Sequence, residues 1–362
     1  MAVDRKKIVG YGMLWALIIV VVIWANNVAM EHRSKQPITK FEIIVDGGAE
    51  SLIDAELIDG WLVLNEMHPE GKMVADVDLA KLESIIAEHS AVKSANAYVT
   101  YDGHLVVNVS QRRAVARLRV GDYDMYLCED GYVLPVTDCH TLLLPVITGD
   151  YVPLFDRGFV GLHEDSANEP LRAIDERIRG IEQRRVDLLK EREAINGELR
   201  KVEKRGVKRE VFMSDNEYRG RVEHLKEEKV EARRIHAEKD RDIELALREL
   251  DAERLNESLE AERIRACVAD FGRLIEFAQY LCDDPFWCAE IVQIELTGGG
   301  DDPMQIAVVP RSGDFVVDLG FTDDLVDKLG TLRYFYDEAL SNIGWDEYEH
   351  ISLRYDDQVV CK

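Results

Sequence analysis

Basic residues are scarce in this chain relative to acidic ones. Lys and Arg together number 45 in 362 residues, against 70 Asp and Glu, which gives a formal net charge of −25. A surface with this charge repels the phosphate backbone of nucleic acids, so no nucleic-acid partner is expected. The same charge favours solubility and discourages non-specific contacts.

The sequence also lacks the residue patterns of metal and catalytic sites. It has no Cys-x-x-Cys pair, no cluster of Cys and His at zinc-site spacing, and no two His four residues apart. No nucleophile elbow, His-Glu-x-x-His, Walker loop or dinucleotide fingerprint occurs in a usable setting. The sequence therefore predicts a protein that is not an enzyme, with no catalytic residue, metal, cofactor or small-molecule substrate.

The cysteines leave two alternatives open. They are Cys128, Cys139, Cys267, Cys282, Cys288 and Cys361. Cys282 and Cys288 could form a disulfide if this part of the chain lies in an oxidising compartment. The alternative is that the thiols are small hydrophobic side chains of the core.

A long apolar run occupies residues 8–25 (IVGYGMLWALIIVVVIWA) and contains no charged residue. Eighteen residues rise about 27 Å as a helix, close to the hydrocarbon thickness of a bilayer. The run therefore predicts a transmembrane helix, with Trp24 where an aromatic ring anchors at the interface. The residues that mark this membrane anchor are Ile8, Trp15, Trp24 and Ala25.

Charge next to this run predicts its orientation. Residues 1–7 include Arg5, Lys6 and Lys7, and the positive-inside rule keeps such a cluster in the cytoplasm. No small-x-small cleavage site follows the run, so it is expected to stay in place as a signal anchor. These features predict a single-pass protein of the inner membrane with a short cytoplasmic N-terminus and a periplasmic C-terminal body.

Residues 38–115 carry the pattern of a small α+β domain. Alternating and helical periodicities succeed one another, and Asp102-Gly103 is a strong hairpin signal between two β-rich runs. The elements that this pattern predicts are strands at 41–45, 95–101 and 105–109 and helices at 51–58 and 78–89. Their order is strand, helix, helix, strand, strand.

A second β pattern occupies two separate stretches, residues 116–155 and 268–362. In the first, Glu129-Asp130-Gly131 separates two β-rich runs as a hairpin turn. The second begins with a helix at 267–281 and continues with strands at 291–296, 304–309 and 315–319, an amphipathic helix at 322–340 and closing strands at 351–355 and 358–360. We interpret the two stretches as one β-rich domain with an insertion.

The insertion, residues 169–265, is rich in Glu, Arg, Lys, Leu and Ala. Its first half repeats apolar residues at alternating spacings of three and four, interrupted by Arg185 and Arg192, a pattern that favours a coiled coil. This seam comprises Leu171, Ile174, Ile178, Ile181, Leu188, Ile195, Leu199 and Val202. A second helix with a poorer register carries Ile243, Leu247, Leu250, Leu255 and Leu259. Two such helices joined by a short break predict an antiparallel hairpin.

Several segments of the sequence are similar to one known family. Val109-Ser110-Gln111-Arg112-Arg113-Ala114-Val115-Ala116 is similar to the end of a POTRA module, with Gln111 and Ala114 in place of an acid and a proline. The most specific segments are Asp284-Pro285-Phe286-Trp287-Cys288-Ala289-Glu290-Ile291, Val309-Pro310-Arg311-Ser312-Gly313 and the closing residues 351–362. Together they resemble the FtsQ (DivIB) family of cell-division proteins, in its Bacteroidetes form. The fold class expected is α+β: one transmembrane helix, a POTRA-type domain, and a β-rich domain with an inserted helical hairpin.

The resemblance implies a divisome scaffold that binds FtsB and FtsL and helps recruit and regulate the septal peptidoglycan synthase. In the family, the last strand accepts a strand from FtsB, with flanking contacts from the preceding helix. Carried over by position, the partner-binding residues are Arg354, Tyr355, Asp357 and Gln358, with Thr331 and Phe335 on the helix. A terminal strand at a sheet edge can pair with another chain. The alternative is that Tyr355 is a core residue and Arg354 a solvated one.

Acidity is concentrated near this predicted surface. Residues 283–362 hold 18 Asp or Glu against 5 Lys or Arg, so a docking segment is expected to be basic. Two functions of other classes are the alternatives: a POTRA-bearing component of envelope assembly or transport, and an enzyme that acts on peptidoglycan. The insertion either extends the interface along the partner helices or is a spacer towards the peptidoglycan.

Overall fold

A computed structural model describes residue 15 and residues 17–24, 36–47, 51–299, 302–341, 344–345, 347–355 and 358–362. The chain divides into two compact units. The first comprises Met1–His163, Phe271–Gly299 and Pro303–Lys362, and the second comprises Glu164–Asp270 with Gly300–Asp302.

The predicted membrane anchor is described only in part. Trp15 and residues 17–24 are helical, and Trp15 and Trp24 are 64% and 66% exposed. Ile8 and Ala25 lie outside the described residues. Among the residues that are described, none belongs to a helix both long enough and apolar enough to span a bilayer.

The first unit begins with a three-stranded sheet covered by two helices. The elements are β1 (Lys40–Asp46), α1 (Ala55–Leu64), α2 (Leu79–Ala87), β2 (Val92–Val99) and β3 (His104–Gln111). Strand β3 lies in the centre, parallel to β1 and antiparallel to β2. The order strand, helix, helix, strand, strand agrees with the prediction for this segment.

Local residue chemistry explains where these elements begin and turn. Oδ1 of Asp54 accepts a hydrogen bond from Leu57 N at 2.8 Å, and Oδ1 of Asp78 accepts one from Lys81 N at 3.1 Å. Each carboxylate thereby caps the start of a helix. Gly103 turns the chain between β2 and β3 at a φ of +79°, a conformation that glycine adopts at little cost.

A second sheet follows, and within the described residues it has ten strands. They are β4 (Ala114–Val120), β5 (Tyr123–Cys128), β6 (Tyr132–Pro135), β7 (Val146–Gly149), β8 (Gly161–Leu162), β9 (Ile291–Gly299), β10 (Asp302–Pro310), β11 (Val316–Phe321), β12 (His350–Ser352) and β13 (Val360–Cys361). Their order is β13-β12-β11-β10-β9-β7-β4-β5-β6-β8. The parallel pairing of β7 with β9 joins the strands that precede the insertion to those that follow it.

Helices pack on this sheet and close its core. They are the C-terminal part of α4 (Asp215–Asp283), the short α5 (Pro285–Glu290) and α6 (Leu325–Phe335), which continues as a π-helical turn over Tyr336–Leu340. Phe271, Leu274 and Phe277 from α4 and Leu329 and Leu332 from α6 are buried in one cluster with the strand residues. The predicted boundary between residues 265 and 268 falls inside the continuous helix α4.

The second unit contains α3 (Asn168–Glu203) and most of α4, which pair antiparallel. Charged pairs connect the two helices along their length: Arg177 with Glu257, Arg184 with Glu253, Arg192 with Asp240 and Glu203 with Arg233. As the residue number on α3 increases, the number of its partner on α4 decreases, which is the register of two antiparallel helices.

The apolar seam of this unit differs in part from the predicted one. Ile174 and Ile181 of α3 are buried, and so are Ile243 and Leu250 of α4. Leu255 and Leu259, which the sequence assigned to the same seam, are instead 59% and 44% exposed. Helix α4 carries two apolar stripes, one buried against α3 and one exposed to solvent. The spacing of the apolar residues alone did not show which stripe is buried.

Candidate partner-binding site

The closing strands are shorter than the sequence predicted. Ile351 pairs with Cys361 and Ser352 with Val360, and residues 353–355 and 358–359 are the described part of the loop that connects β12 and β13. Arg354, Tyr355 and Gln358 therefore lie in this loop, and the prediction that they belong to strands is wrong. The chain leaves the strand after Leu353 N donates to Asp318 O at 2.8 Å, a long-range contact that no local sequence pattern records. Asp357 lies outside the described residues.

A groove of about 250 Å³ lies between this loop and the start of α6. Its lining comprises Asp324, Asp327, Lys328 and Thr331 from the helix and Leu353, Tyr355 and Gln358 from the loop. Three of the six partner-binding residues that the sequence singled out, Thr331, Tyr355 and Gln358, thus meet at one place. We call this feature the α6 groove.

Helix α6 is held in position by its buried face. Leu325, Leu329 and Leu332 are buried against the sheet. Lys328 donates from Nζ to the carbonyl oxygen of Leu319 at 2.8 Å, which ties the helix to the end of β11. The opposite face of the helix, with Asp327 and Thr331, is exposed and borders the α6 groove.

The start of α6 has an unusual backbone. Asp324 has a φ of +54°, in the left-handed region that non-glycine residues rarely adopt. Its carbonyl accepts a hydrogen bond from Lys328 N at 3.0 Å, so the residue still forms the first turn of the helix. Strained backbone of this kind is concentrated at binding and catalytic sites.

Tyr355 contributes an aromatic ring to the lining of the α6 groove. Its relative exposure is 62%, so the alternative that it belongs to the core is wrong. Gln358 N donates to Tyr355 O at 3.4 Å, so these two residues of the lining contact each other directly. Tyrosine is enriched among the residues that contribute most to binding at protein interfaces, so an exposed tyrosine beside a groove is suited to contact a partner.

Arg354 points to the sheet rather than into the α6 groove. Its Nη2 lies 3.2 Å from Oδ2 of Asp318 on β11 and donates to Oε1 of Gln305 on β10 at 2.6 Å. Asp318 in turn accepts a hydrogen bond from Gly320 N at 2.9 Å. Arg354 therefore holds the loop against the sheet.

Phe335 also lies outside the lining of the α6 groove. It is half-buried, and its ring centre is 6.4 Å from that of Tyr348. Its neighbour Arg333 stacks on Phe286, with 3.5 Å between the guanidinium carbon and the ring centre. These contacts support the outer side of α6.

The sequence interpretation missed Asp324, Asp327, Lys328 and Leu353, which also line the α6 groove. Helical spacing was the available signal, because Asp327 precedes Thr331 by four residues and so shares its face. With two carboxylates and one ammonium group, the lining is acidic. It would complement a basic docking segment.

Strand β13 forms one end of the described sheet order, next to the loop that carries Tyr355. Val360 on this strand is 48% exposed. Such an edge presents N–H and C=O groups that can pair with a further strand. Across the described residues, no group of three or more His, Cys, Asp or Glu is arranged to hold a metal ion.

Two comparisons with family models give matches. Residues 258–362 match a model described as FtsQ/DivIB, C-terminal related, and residues 39–110 match a model described as a POTRA-like domain. The first match includes every residue of the α6 groove, and the second covers the two helices and the three-stranded sheet up to Ser110, one residue before the end of β3. No curated protein matches the chain.

Proposed function

We propose that this chain is a non-catalytic scaffold of the divisome, since the two family matches support an FtsQ/DivIB-type cell division protein. The scaffold captures a partner segment at the α6 groove and the adjoining edge of β13. The observation that carries this proposal is the meeting of Thr331, Tyr355 and Gln358 at one groove. These residues come from two segments of the chain, and a shared surface is what a binding site requires.

The partners proposed are FtsB and FtsL. An extended segment of FtsB adds to the edge of β13 through main-chain hydrogen bonds, which supply affinity without demanding particular side chains. Side chains of that segment enter the α6 groove and supply specificity. Since Asp324 and Asp327 border the groove, a Lys or Arg of the partner is the complementary residue.

The resulting complex helps recruit and regulate the septal peptidoglycan synthase, with the body of the chain in the periplasm and residues 8–25 as its membrane anchor. The apolar character of Trp15 and residues 17–24 and their exposure support the anchor. A fusion of the full chain to a reporter active only outside the cytoplasm tests this orientation. Reporter activity for a C-terminal fusion is expected, and activity for an N-terminal fusion alone would contradict it.

The test of the binding site is a titration of the full chain in nanodiscs with the periplasmic segment of the cognate FtsB. We expect Tyr355→Ala and Tyr355→Glu to weaken binding at least about tenfold, a loss of about 1.4 kcal/mol. Tyr101→Ala is the matched control, because Tyr101 is an 83% exposed tyrosine beside the β2–β3 turn. Circular dichroism checks that each variant folds. Equal binding by folded wild type and both Tyr355 variants would refute the site.

A further inference from the structure

The end of the helical hairpin exposes two adjacent apolar residues. Val211 and Phe212 lie in the connection between α3 and α4 and are 94% and 99% exposed. Full exposure of a phenylalanine forgoes the stabilisation that its burial would give. Contiguous exposed apolar groups of this kind mark surfaces that other molecules cover.

Basic residues precede this apolar pair in the chain. Residues 200–213 contain six Lys or Arg and two Glu, a local net charge of +4 in a chain whose net charge is −25. All six basic residues are exposed: Arg200, Lys201, Lys204, Arg205, Lys208 and Arg209. We call residues 200–213 the hairpin tip.

Local contacts give the hairpin tip a defined shape. Ser214 and Glu217 form a reciprocal cap, because Ser214 N donates to Oε2 of Glu217 at 3.2 Å and Glu217 N donates to Oγ of Ser214 at 3.3 Å. Arg209 pairs with Asp215 and lies 5.7 Å from the ring centre of Tyr218. Helix α4 therefore begins at Asp215, three residues after Phe212, and these contacts hold the apolar pair at the end of the hairpin.

The hairpin tip is distant from the base of its own unit. Helix α3 has 36 residues, which gives a length of about 54 Å. That length is several times the Debye length of about 8 Å at physiological ionic strength, so the tip is screened from charges near Asn168. Within the tip, Arg205 pairs with Glu228 and Arg209 with Asp215, so the other four basic side chains carry most of the charge that a partner can meet.

We propose that the hairpin tip binds the surface of an anionic lipid bilayer. Lys and Arg side chains are attracted to the headgroups, while Val211 and Phe212 enter the boundary between headgroups and acyl chains. Neither signal alone gives stable binding, since a small apolar insertion is weak and charge alone is screened by salt. The combination fits a membrane surface better than a nucleic acid, which offers no apolar layer to Val211.

The proposal is tested by vesicle flotation. The full chain is held in nanodiscs of zwitterionic lipid, so that the N-terminal apolar run is already occupied, and is then mixed with separate vesicles. Wild type is expected to float with vesicles that contain phosphatidylglycerol and to stay in solution with purely zwitterionic vesicles. Raising the salt concentration is expected to weaken the flotation.

Matched variants separate the two signals. Phe212→Ser, and Lys204→Glu combined with Lys208→Glu, are each expected to reduce flotation at least about tenfold. Leu255→Ser and Lys190→Glu are the controls, since both residues are exposed on the same hairpin outside the tip. Flotation of wild type that equals that of an empty nanodisc, or that is the same with both lipids, would overturn the proposal. Loss in the charge variant with no loss in Phe212→Ser would show attraction by charge alone, without insertion of the apolar pair, and would also overturn it.

Discussion

The guanidinium of Arg112 stacks on the ring of Tyr132, with 3.5 Å between its central carbon and the ring centre. The same side chain pairs with Asp130 and donates from Nε to Ser90 O at 3.2 Å. Ser90 precedes β2 of the first sheet, whereas Asp130 and Tyr132 belong to the β5–β6 hairpin of the second. Arg112 thus links the two sheets of the first unit through three kinds of contact.

Replacement of Arg112 is expected to weaken the contact between the two sheets of the first unit. Arg112→Ala should lower the free energy of unfolding by about 1–3 kcal/mol, because it removes a half-buried charged hydrogen bond and a cation–π contact. Arg112→Lys should recover only part of that loss, since an ammonium cannot stack and fork as a guanidinium does. Urea unfolding of the full chain, followed by hydrogen exchange at β2 and β6, measures the effect.

Arg113→Ala is the matched control for this experiment. Arg113 pairs with Asp283 at 2.7 Å, but the two side chains are 44% and 50% exposed. Exposed pairs contribute about 0–1 kcal/mol, so this variant should be close to wild type. Equal losses from Arg112→Ala and Arg113→Ala would contradict the role assigned to Arg112.

The free energy of unfolding at acid pH should depend on the helix cap at Asp54. A hydrogen bond from Leu57 N, with a smaller contribution from His140, lowers the pKa of Asp54 below its usual range. A carboxylate with a lowered pKa adds stability above its unfolded pKa of about 3.9, and the contribution is lost as pH falls through the lower folded value. We therefore expect Asp54→Ala to cost about 0.5–1 kcal/mol at neutral pH and much less at the acid end.

Unfolding of wild type and Asp54→Ala at a series of pH values measures this difference. Asp54→Asn is the control, because asparagine also caps helices but does not titrate. It should retain most of the stability at neutral pH. A gap between wild type and Asp54→Ala that stays constant down to the acid limit would show that the charge of Asp54 contributes nothing.

The cysteines should differ in reactivity. Cys128 is buried, and burial raises the pKa of its thiol far above the usual range, so little thiolate forms near neutral pH. Cys288 is an exposed free thiol. Mass spectrometry after brief alkylation should show modification of Cys288 and none of Cys128 until the chain is unfolded with denaturant. Labelling of both thiols at equal rates in the folded chain would contradict this arrangement.

The two apolar stripes of α4 make a comparison of identical substitutions possible. Leu250 faces α3 and is 8% exposed, whereas Leu255 is 59% exposed. Leu250→Ala should lower the free energy of unfolding by about 2–3 kcal/mol, and Leu255→Ala by less than about 0.5 kcal/mol. Thermal unfolding monitored by circular dichroism tests both. A larger loss from Leu255→Ala would restore the seam that the sequence predicted.

Whether the sequence predicted an element correctly depends on how close in sequence the residues that determine it are. The turns at Gly103 and Gly131 and the seam at Ile174 and Ile181 depend on residues close in sequence, and the structure confirms them. The end of β12 depends on a long-range contact, since Leu353 N donates to Asp318 O at 2.8 Å before the chain turns away. No short-range pattern records that contact, which is why Tyr355 was assigned to a strand.

The same reasoning applies to the α6 groove. Thr331 and Tyr355 were singled out by resemblance, but their position at one groove depends on how α6 packs on the sheet. Asp327 and Lys328 were within reach of sequence reasoning, through their helical spacing from Thr331. Leu353 was not, because its place in the lining depends on the loop.

Electrostatic complementarity gives the last prediction, which depends on the proposed partner. If Asp327 receives a basic side chain of the FtsB segment, Asp327→Asn should weaken binding by about threefold to tenfold and reduce its sensitivity to salt. Asp122→Asn is the control, because Asp122 is a 68% exposed carboxylate in the β4–β5 turn. Titrations at low and physiological ionic strength measure both effects. Salt sensitivity that is the same in wild type, Asp327→Asn and Asp122→Asn would mean that the partner is attracted by the net charge of the chain and not by the α6 groove.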